Sequence, residues 1–218
     1  MITTLSYDQD EILWNILKMH VKAPTFDLDP CYGNGRFYKK IIKPPHRFDI
    51  APMDDTVKAA DCTDLPLEDG SISSVIFDPP FICGHRSKGK AGIIKSRFAS
   101  FRKVPELWDF YHASMQEFNR VLAPGGWLVF KCQDTVEDHK NFFSHCEIMN
   151  MALELGYYPK DMFVLAAKHR IQRANQKNQV HARKFHCYFW VFQKAPCKVK
   201  YGERGDSPSK PTHKRDDE

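Results

Sequence analysis

The motif Asp78-Pro79-Pro80-Phe81 constrains this chain more than any other sequence feature. It ends the apolar run at residues 72–78, which is typical of a buried β-strand. Two consecutive prolines cannot continue a sheet, because neither has an N–H group to donate. They predict a rigid loop that leaves backbone carbonyls beside the Asp78 carboxylate. The motif therefore indicates a polar site at the carboxyl end of a buried strand.

Such a loop can hold a planar amino group by both of its hydrogens. The Asp78 carboxylate would accept one N–H and the Pro79 carbonyl the other, because both are acceptors without a competing donor function. Holding both hydrogens turns the nitrogen toward sp3 character and frees its lone pair. Phe81 offers a flat face on which a base can stack. These residues favour chemistry at an exocyclic nitrogen.

The order of elements predicts an α/β fold. Apolar periodicity and turn residues predict helices at residues 7–19, 36–42 and 137–155, and a further helix from Pro105 to the Pro124-Gly125-Gly126 stop. Strands are predicted at residues 25–29, 47–50, 72–78, 127–131, 162–167 and 185–193. Alternation of this kind predicts a mainly parallel sheet covered on both faces, and the last two strands, joined without a helix, predict an antiparallel edge. Ligands of such sheets bind at the carboxyl ends of the strands.

Three more groups of polar or small residues follow predicted strands. Asp29 precedes a turn that contains Gly33 and Gly35, where the backbone can turn sharply and approach a ligand closely. A plain tight turn remains an equal alternative there. Asp49 ends the next strand, where it can accept hydrogen bonds from a ribose diol or can simply be a solvated turn residue. The Asp61-Cys62 pair lies at a third loop, where a carboxylate and backbone groups can bind the edge of an adenine.

This chain resembles the class I S-adenosylmethionine-dependent methyltransferases over about residues 25–195, and specifically the amino-methyltransferases that carry (D/N/S)PP(Y/F/W). Two further stretches are similar to that family, DLPLEDGSISSVIFDPPF and RVLAPGGWLVF. The resemblance implies a Rossmann-like, doubly wound sheet of seven strands with an antiparallel final strand, and S-adenosyl-L-methionine as cofactor. The cofactor-binding residues that it implies are Asp29, Gly33 and Gly35 at the methionine end, Asp49 at the ribose, Asp61 and Cys62 at the adenine, and also Cys31. At the target amine it implies Asp78, Pro79, Pro80 and Phe81.

Charge is unevenly distributed along this chain, whose formal net charge is +5. Residues 84–103 contain seven lysines and arginines without an acid, and residues 168–184 contain six without an acid. Either segment can be a solvated loop, but both adjoin the predicted site and can contact phosphates. The candidate nucleic-acid contacts are Arg86, Lys88, Lys90, Arg173, Lys177 and Arg183.

The predicted reaction is direct SN2 methylation of adenine N6 or cytosine N4, in DNA more readily than in RNA. The chain leaves no room for a separate recognition domain, so a specificity subunit or a second copy would supply recognition, or RNA would be recognised by shape. The open alternatives are methylation of guanine N2 in RNA, of a protein amide or of a small molecule. A non-catalytic nucleic-acid-binding subunit with the same fold is also an alternative.

The remaining features predict one domain at residues 1–194 and a flexible polar tail at residues 195–218. The seven cysteines are scattered without a C-x-x-C pair, so we expect reduced thiols, no metal site and a cytoplasmic location. No apolar stretch approaches the roughly 20 residues of a membrane-spanning helix, so we expect no membrane insertion. For Lys131 and Asn34 we expect a local structural role.

Overall fold

The computed structural model of this chain describes residues 1–81, 83, 101–167, 180–196 and 201–202. The helices within these ranges are α1 (Gln9–Ile16), which continues as a π-helical turn over Leu17–Val21, α2 (Val104–Val121) and α3 (Ser144–Glu154). The strands are β1 (Leu5–Ser6), β2 (Leu28–Asp29), β3 (His46–Asp49), β4 (Lys58–Ala59), β5 (Ile72–Phe77), β6 (Leu122–Cys132), β7 (Thr135–Glu137), β8 (Lys140–Phe142), β9 (Tyr157–Ala166) and β10 (His186–Lys194).

Eight of these strands form one sheet in the order β1-β9-β10-β6-β5-β2-β3-β4, and β7 pairs with β8 in a separate hairpin. In the large sheet, β10 is antiparallel to both of its neighbours, and the other pairs are parallel. The predicted mostly parallel sheet with an antiparallel final strand is confirmed. The eighth strand arises because Leu5 and Ser6 pair with Val164 and Leu165 at the β9 edge.

Helices cover both faces of the sheet, as the alternation of buried side chains in β5 requires. Val75 and Phe77 belong to the apolar cluster formed with α2 and α3, whereas Ile76 belongs to the cluster formed with α1. The predicted doubly wound arrangement is therefore confirmed. The helix predicted from Pro105 is also present as α2, but it ends at Val121, and the Pro124-Gly125-Gly126 stretch lies inside β6.

The helix predicted at residues 36–42 is wrong. Tyr38 and Ile41 are buried at a spacing that resembles a helical face, but this segment contains turns and bends. Tertiary hydrogen bonds fix it instead: the Tyr38 hydroxyl donates to Asp29 Oδ2 over 2.6 Å, and the Thr25 hydroxyl donates to the Ile42 carbonyl over 2.6 Å. Side-chain periodicity alone does not distinguish such an anchored loop from a helix.

The helix predicted at residues 137–155 is correct only in its second half. Its first part forms the β7–β8 hairpin, in which Asp138 and His139 have φ angles of 44° and 62°. Two consecutive left-handed residues are typical of a two-residue hairpin turn, which is usually signalled by Asn-Gly or Asp-Gly. Because Asp-His is an uncommon choice, the sequence gives little indication of this turn.

None of the helices in the described ranges combines the length and apolar character that crossing a membrane would need. Of the predicted flexible tail, residues 197–200 and 203–218 lie outside the described residues.

Candidate functional site

Strand register brings the two central charged residues of the site together. Phe77 of β5 pairs with Phe130 of β6, so the residues that follow them, Asp78 and Lys131, lie at the same level of the sheet. β2 lies on the other side of β5 and ends at Asp29. β10 runs in the opposite direction, so its first residue, His186, lies at this same edge. The carboxyl ends of the parallel strands therefore collect polar side chains at one place.

A cavity of about 680 Å³ opens at this edge. Four of the predicted site residues line it: Asp29, Cys31, Gly33 and Asp78. Its walls also include residues from the start of α1, the segment after β2, the loop after β3, β6, and the end of β9 and start of β10. They are Tyr7, Asp8, Gln9, Asp10, Tyr32, Asn34, Arg36, Phe37, Lys39, Met53, Lys131, Leu165, Ala166, Ala167, Phe185, His186 and Cys187. This volume is in the range of small-molecule and cofactor pockets.

The turn after β2 is held by two carboxylates. Asp29 Oδ1 accepts the Cys31 N–H over 2.9 Å, and Asp49 Oδ2 accepts the Gly33 N–H over 2.7 Å. Gly33 and Gly35 have φ angles of 60° and 69°, which glycine adopts without strain. Asp49 and Gly35 do not line the cavity. They hold and shape the loop that does.

Asp29 is the most deeply buried carboxyl group in the site, with 3% of its surface exposed. Burial raises its pKa to about 7, and the neighbouring charges of Asp78 and Asp49 act in the same direction. The hydrogen bonds from Tyr38 and from the Cys31 N–H oppose the rise only in part. The protonation state of this group therefore changes close to neutral pH.

Asp78 forms an ion pair with Lys131, whose Nζ lies 3.2 Å from each carboxylate oxygen. Lys131 donates a hydrogen bond to Oδ2 and another to Gln9 Oε1, over 3.1 Å. Asp78 Oδ1 is buried and belongs to the ion pair with Lys131, but among the described residues no hydrogen bond is donated to it. Lys131 thus contacts both carboxylate oxygens, and Oδ1 keeps a lone pair that can accept a hydrogen bond from a ligand.

The loop after Asp78 is held by a hydrogen bond from α2. The Tyr111 hydroxyl donates to the Pro80 carbonyl over 3.1 Å, while within the described ranges no donor is hydrogen-bonded to the Pro79 carbonyl. Pro79 is buried, and Pro80 and Phe81 are half-buried. None of these three residues lines the cavity. Burial raises the pKa of the nearby Cys83 thiol to about 11, so this sulfur is protonated and a poor nucleophile at neutral pH.

Asp61 and Cys62 are not brought into the cavity. The Asp61 carboxylate accepts the Thr63 N–H and hydroxyl over 2.9 and 2.8 Å, which makes a local turn. Cys62 is buried in the core, with its sulfur 3.5 Å from the Ser114 hydroxyl.

Of the six predicted nucleic-acid contacts, only Arg183 is described, and it is half-buried before β10. Arg86, Lys88, Lys90, Arg173 and Lys177 lie outside the described residues. In the described part of the chain, no group of three or more His, Cys, Asp or Glu side chains is arranged to hold a metal ion.

Two functional candidates were missed by reasoning from sequence. Lys131 contacts Asp78 directly, and Gln9 is linked to it through Lys131. Gln9 and Lys131 are 122 positions apart in the chain. Lys131 lies in the carboxyl half of a predicted strand beside the Asp78 strand, which is the one signal that could have identified it. Gln9 lies at the start of a helix and carries no such signal. Asn34, like Lys131, lines the cavity.

The sequence matches no protein-family model and has no significant match among curated proteins. Among solved structures, it is similar to a Thermus thermophilus protein assigned as a DNA modification methylase, with 19% identity and a TM-score of 0.45. That match covers 74% of this chain and 57% of the methylase, so the chain spans little more than half the length of this relative.

Two further solved structures are similar. The cytosine-N4-specific PvuII DNA methyltransferase has 17% identity and a TM-score of 0.43, over 59% of this chain and 44% of that one. The 4+2 cyclase SpnF has 10% identity and a TM-score of 0.49, over 85% of this chain and 81% of that one. With identities of 19% or less and TM-scores below 0.5, these likenesses assign no activity to this chain.

Proposed function

We propose that this chain is an S-adenosylmethionine-dependent methyltransferase that methylates an exocyclic amino group of a nucleobase, at adenine N6 or cytosine N4, and DNA more readily than RNA. One observation carries the proposal. Asp78 is paired with Lys131 in the cavity that the glycine turn also lines, and among the described residues neither its Oδ1 nor the adjacent Pro79 carbonyl accepts a hydrogen bond.

The residues of the cavity fit the proposed cofactor. A β-carbon placed on Gly33 meets no atom within 4 Å, so the backbone there is open to close approach by a ligand. The Asp29 carboxyl group lines the same cavity and complements a cationic ammonium or sulfonium when it is ionised. Asp49, at the end of β3 and outside the cavity lining, supports the Gly33 turn and keeps further lone pairs for a ribose hydroxyl. When bound, S-adenosylmethionine supplies a methyl group activated on a sulfonium.

The target amine is held by acceptors only. Asp78 Oδ1 and the Pro79 carbonyl each accept one N–H, which directs the nitrogen lone pair into the cavity for in-line displacement. The new C–N bond would replace the bond between the methyl group and the sulfonium, which would leave as a neutral thioether. The nitrogen would then carry one proton too many, and Asp78 is the adjacent carboxylate that can take it. The rate advantage comes from alignment and from acceptors fixed before the reaction begins, without a covalent enzyme intermediate.

A nucleic-acid substrate is supported by the charge of the chain and by the planar, aromatic side chain that follows the prolines. Phe81 can stack on a base, and a base from a duplex has to be rotated out of its stack to reach it. The basic segments at residues 84–103 and 168–184 adjoin this loop and the start of β10 in sequence. Recognition of a particular sequence would come from a partner chain or a second copy.

The test is transfer of a labelled methyl group from S-adenosylmethionine to separate DNA and RNA pools, followed by digestion to nucleosides and mass spectrometry. We expect label in N6-methyladenine or N4-methylcytosine, with more in the DNA pool. Label in N2-methylguanine of RNA would change the assigned base and polymer. Cofactor binding by calorimetry without label in either pool would contradict a nucleobase substrate and indicate a protein amide or a small molecule.

A further inference from the structure

A third concentration of positive charge lies between β2 and β3, within the described residues. Between Asp29 and Asp49 the chain has no acid and five lysines and arginines. We call the stretch that contains them the basic segment 36–47; its members are Arg36, Lys39, Lys40, Lys43 and Arg47. This segment is the one for which a helix was wrongly predicted.

The basic segment 36–47 is anchored to the core although it has no regular secondary structure. Tyr38 and Ile41 are buried, and the Tyr38 hydroxyl is hydrogen-bonded to Asp29. The Phe37 carbonyl accepts a hydrogen bond from Gln9 Nε2 over 3.1 Å, and the Ile42 carbonyl accepts one from Thr25. Anchors on both sides of the lysines fix their backbone, so little further ordering is needed when they bind a ligand.

Three of its cations are exposed and form no ion pair among the described residues, namely Arg36, Lys39 and Lys43. Lys40 lies 3.3 Å from the Asp8 carboxylate. Arg47 donates to the Thr56 and Pro44 carbonyls. Exposed cations held at fixed positions are suited to an anion with several charges spaced along it.

The three exposed cations lie in or next to the cavity that contains the proposed target site. Arg36 and Lys39 line the same cavity as Asp78, and Lys43 lies 5.9 Å from the centre of the Tyr32 ring, which also lines that cavity. We propose that the basic segment 36–47 binds backbone phosphates of the nucleic acid whose base enters the cavity. This inference rests on the proposed function for the identity of the polymer.

A different anion, the carboxylate of the methionine end of the cofactor, is the rival ligand for Arg36 and Lys39. One carboxylate would engage one or two cations and would leave Lys43 outside the cavity without a ligand. A polyphosphate chain can engage all three, so it accounts for more of the arrangement.

The test compares two variants that each remove three positive charges. The first is the combined Arg36→Gln, Lys39→Gln, Lys43→Gln variant. The matched control is Lys18→Gln, Lys22→Gln, Lys160→Gln, whose lysines are exposed. These control lysines lie at the opposite edge of the sheet, where His20 and Asp161 are 3.2 Å apart. Binding to labelled DNA and RNA single strands of one sequence is measured by anisotropy over a range of salt concentrations.

We expect the first variant to bind at least about tenfold more weakly at low salt, with a salt slope reduced by about 2, because each lost phosphate contact contributes roughly 0.7 on single strands. The control keeps most of the affinity, and the cofactor affinity and thermal midpoint of both variants stay as in the wild type. The two polymers show which nucleic acid is preferred. Unchanged affinity and slope in the first variant, or no binding of either strand by the wild type, would overturn the inference.

Two other results separate this inference from its premises. A loss of cofactor affinity with unchanged nucleic-acid binding would assign the cations to the methionine carboxylate and reject the phosphate role. Phosphate-dependent binding by a wild-type chain that transfers no methyl group would retain this surface and reject the proposed reaction.

Discussion

Among the described residues, Lys131 is the cation that pairs with the Asp78 carboxylate, and its side chain is 13% exposed. Its Nζ lies 5.0 and 5.6 Å from the centres of the Phe37 and Phe189 rings, so the ammonium group also contacts two aromatic rings. Lys131 thus has the geometry of a positioning residue: its ammonium group holds the Asp78 carboxylate by both oxygens, and Oδ1, which accepts no hydrogen bond from it, keeps a lone pair for the target amine.

For Lys131→Met we expect a fall of about tenfold or more in single-turnover methyl transfer, equivalent to about 1.4 kcal/mol in the barrier. The methionine keeps the stem, so the fold and the cofactor affinity should change little. Lys131→Arg, which retains the charge, is expected to recover part of the rate. Wild-type transfer by the methionine variant would contradict the positioning role.

Asp29 gives the site a dependence on pH whose sign follows from its raised pKa. In the unfolded chain the carboxyl group loses its proton near pH 4, and in the folded chain near pH 7. Between these values the folded state holds a proton that the unfolded state has lost, so stability falls as the pH rises. The shift corresponds to an upper value of about 4 kcal/mol.

We expect the free energy of unfolding of the wild type to fall relative to that of Asp29→Asn from about pH 4 to about pH 7 and then to run parallel to it. Urea denaturation at a series of pH values measures this. Binding of a cation beside Asp29 favours its ionised form, so calorimetry in buffers of different ionisation enthalpy should show proton release by the wild type near pH 6.5 and less by the variant. Parallel stability curves throughout would show that Asp29 is ionised in the folded chain.

The common location of Asp29, Gly33 and Asp78 could be predicted because all three lie at or shortly after the carboxyl ends of strands that the sequence identifies, and all three line the cavity. The contacts of Lys131 and Gln9 could not, because they depend on register and on the angle at which α1 crosses the sheet. Neither quantity is a local property of the chain. Asp61 and Cys62 illustrate the opposite case, in which a strand-end position is occupied by a turn carboxylate and a core thiol.

At the level of elements, the turn after β2 links the fold to the cavity. Its two glycines have different surroundings: a β-carbon at Gly35 would lie 2.6 Å from the Tyr32 hydroxyl, whereas one at Gly33 meets nothing within 4 Å. Gly35 therefore faces packed protein, whereas Gly33 lines the cavity.

For Gly35→Ala we expect a loss of stability of about 2–3 kcal/mol, because strain at positive φ adds to a clash with a buried ring. For Gly33→Ala we expect only the strain, about 1–2 kcal/mol, but a larger loss of cofactor affinity, since the methyl group occupies ligand space. Urea denaturation and calorimetry measure the two effects. Equal stability losses with unchanged affinity for Gly33→Ala would contradict this division.

The elements differ in how well local sequence defines them. α2 buries Leu107, Tyr111, Met115 and Phe118 along one face and was predictable from that period. The segments at residues 36–42 and 137–143 were not, because tertiary hydrogen bonds fix the first and an uncommon two-residue turn fixes the second. In the first segment contacts distant in sequence override the local pattern, whereas in the second a short hairpin replaces the predicted helix.

At the scale of the whole molecule, one sheet brings together residues from four distant parts of the chain. Asp29, Asp78, Lys131 and His186 reach one cavity because their strands share an edge, with β10 reversed. The alternation of strands and helices was enough to predict this edge. It was not enough to predict the additional strand β1, because a strand of two residues is too short to show an alternating pattern of apolar and polar side chains.

The central claim is that Asp78 accepts the target amine, and single-turnover transfer to the preferred polymer tests it most directly. Asp78→Ala is compared with the wild type and with Asp109→Ala, which removes an exposed carboxylate from α2. We predict that the Asp78 variant binds the cofactor nearly as well as the wild type but transfers at least about a hundredfold more slowly, while the control transfers normally. Wild-type transfer by Asp78→Ala would contradict the claim.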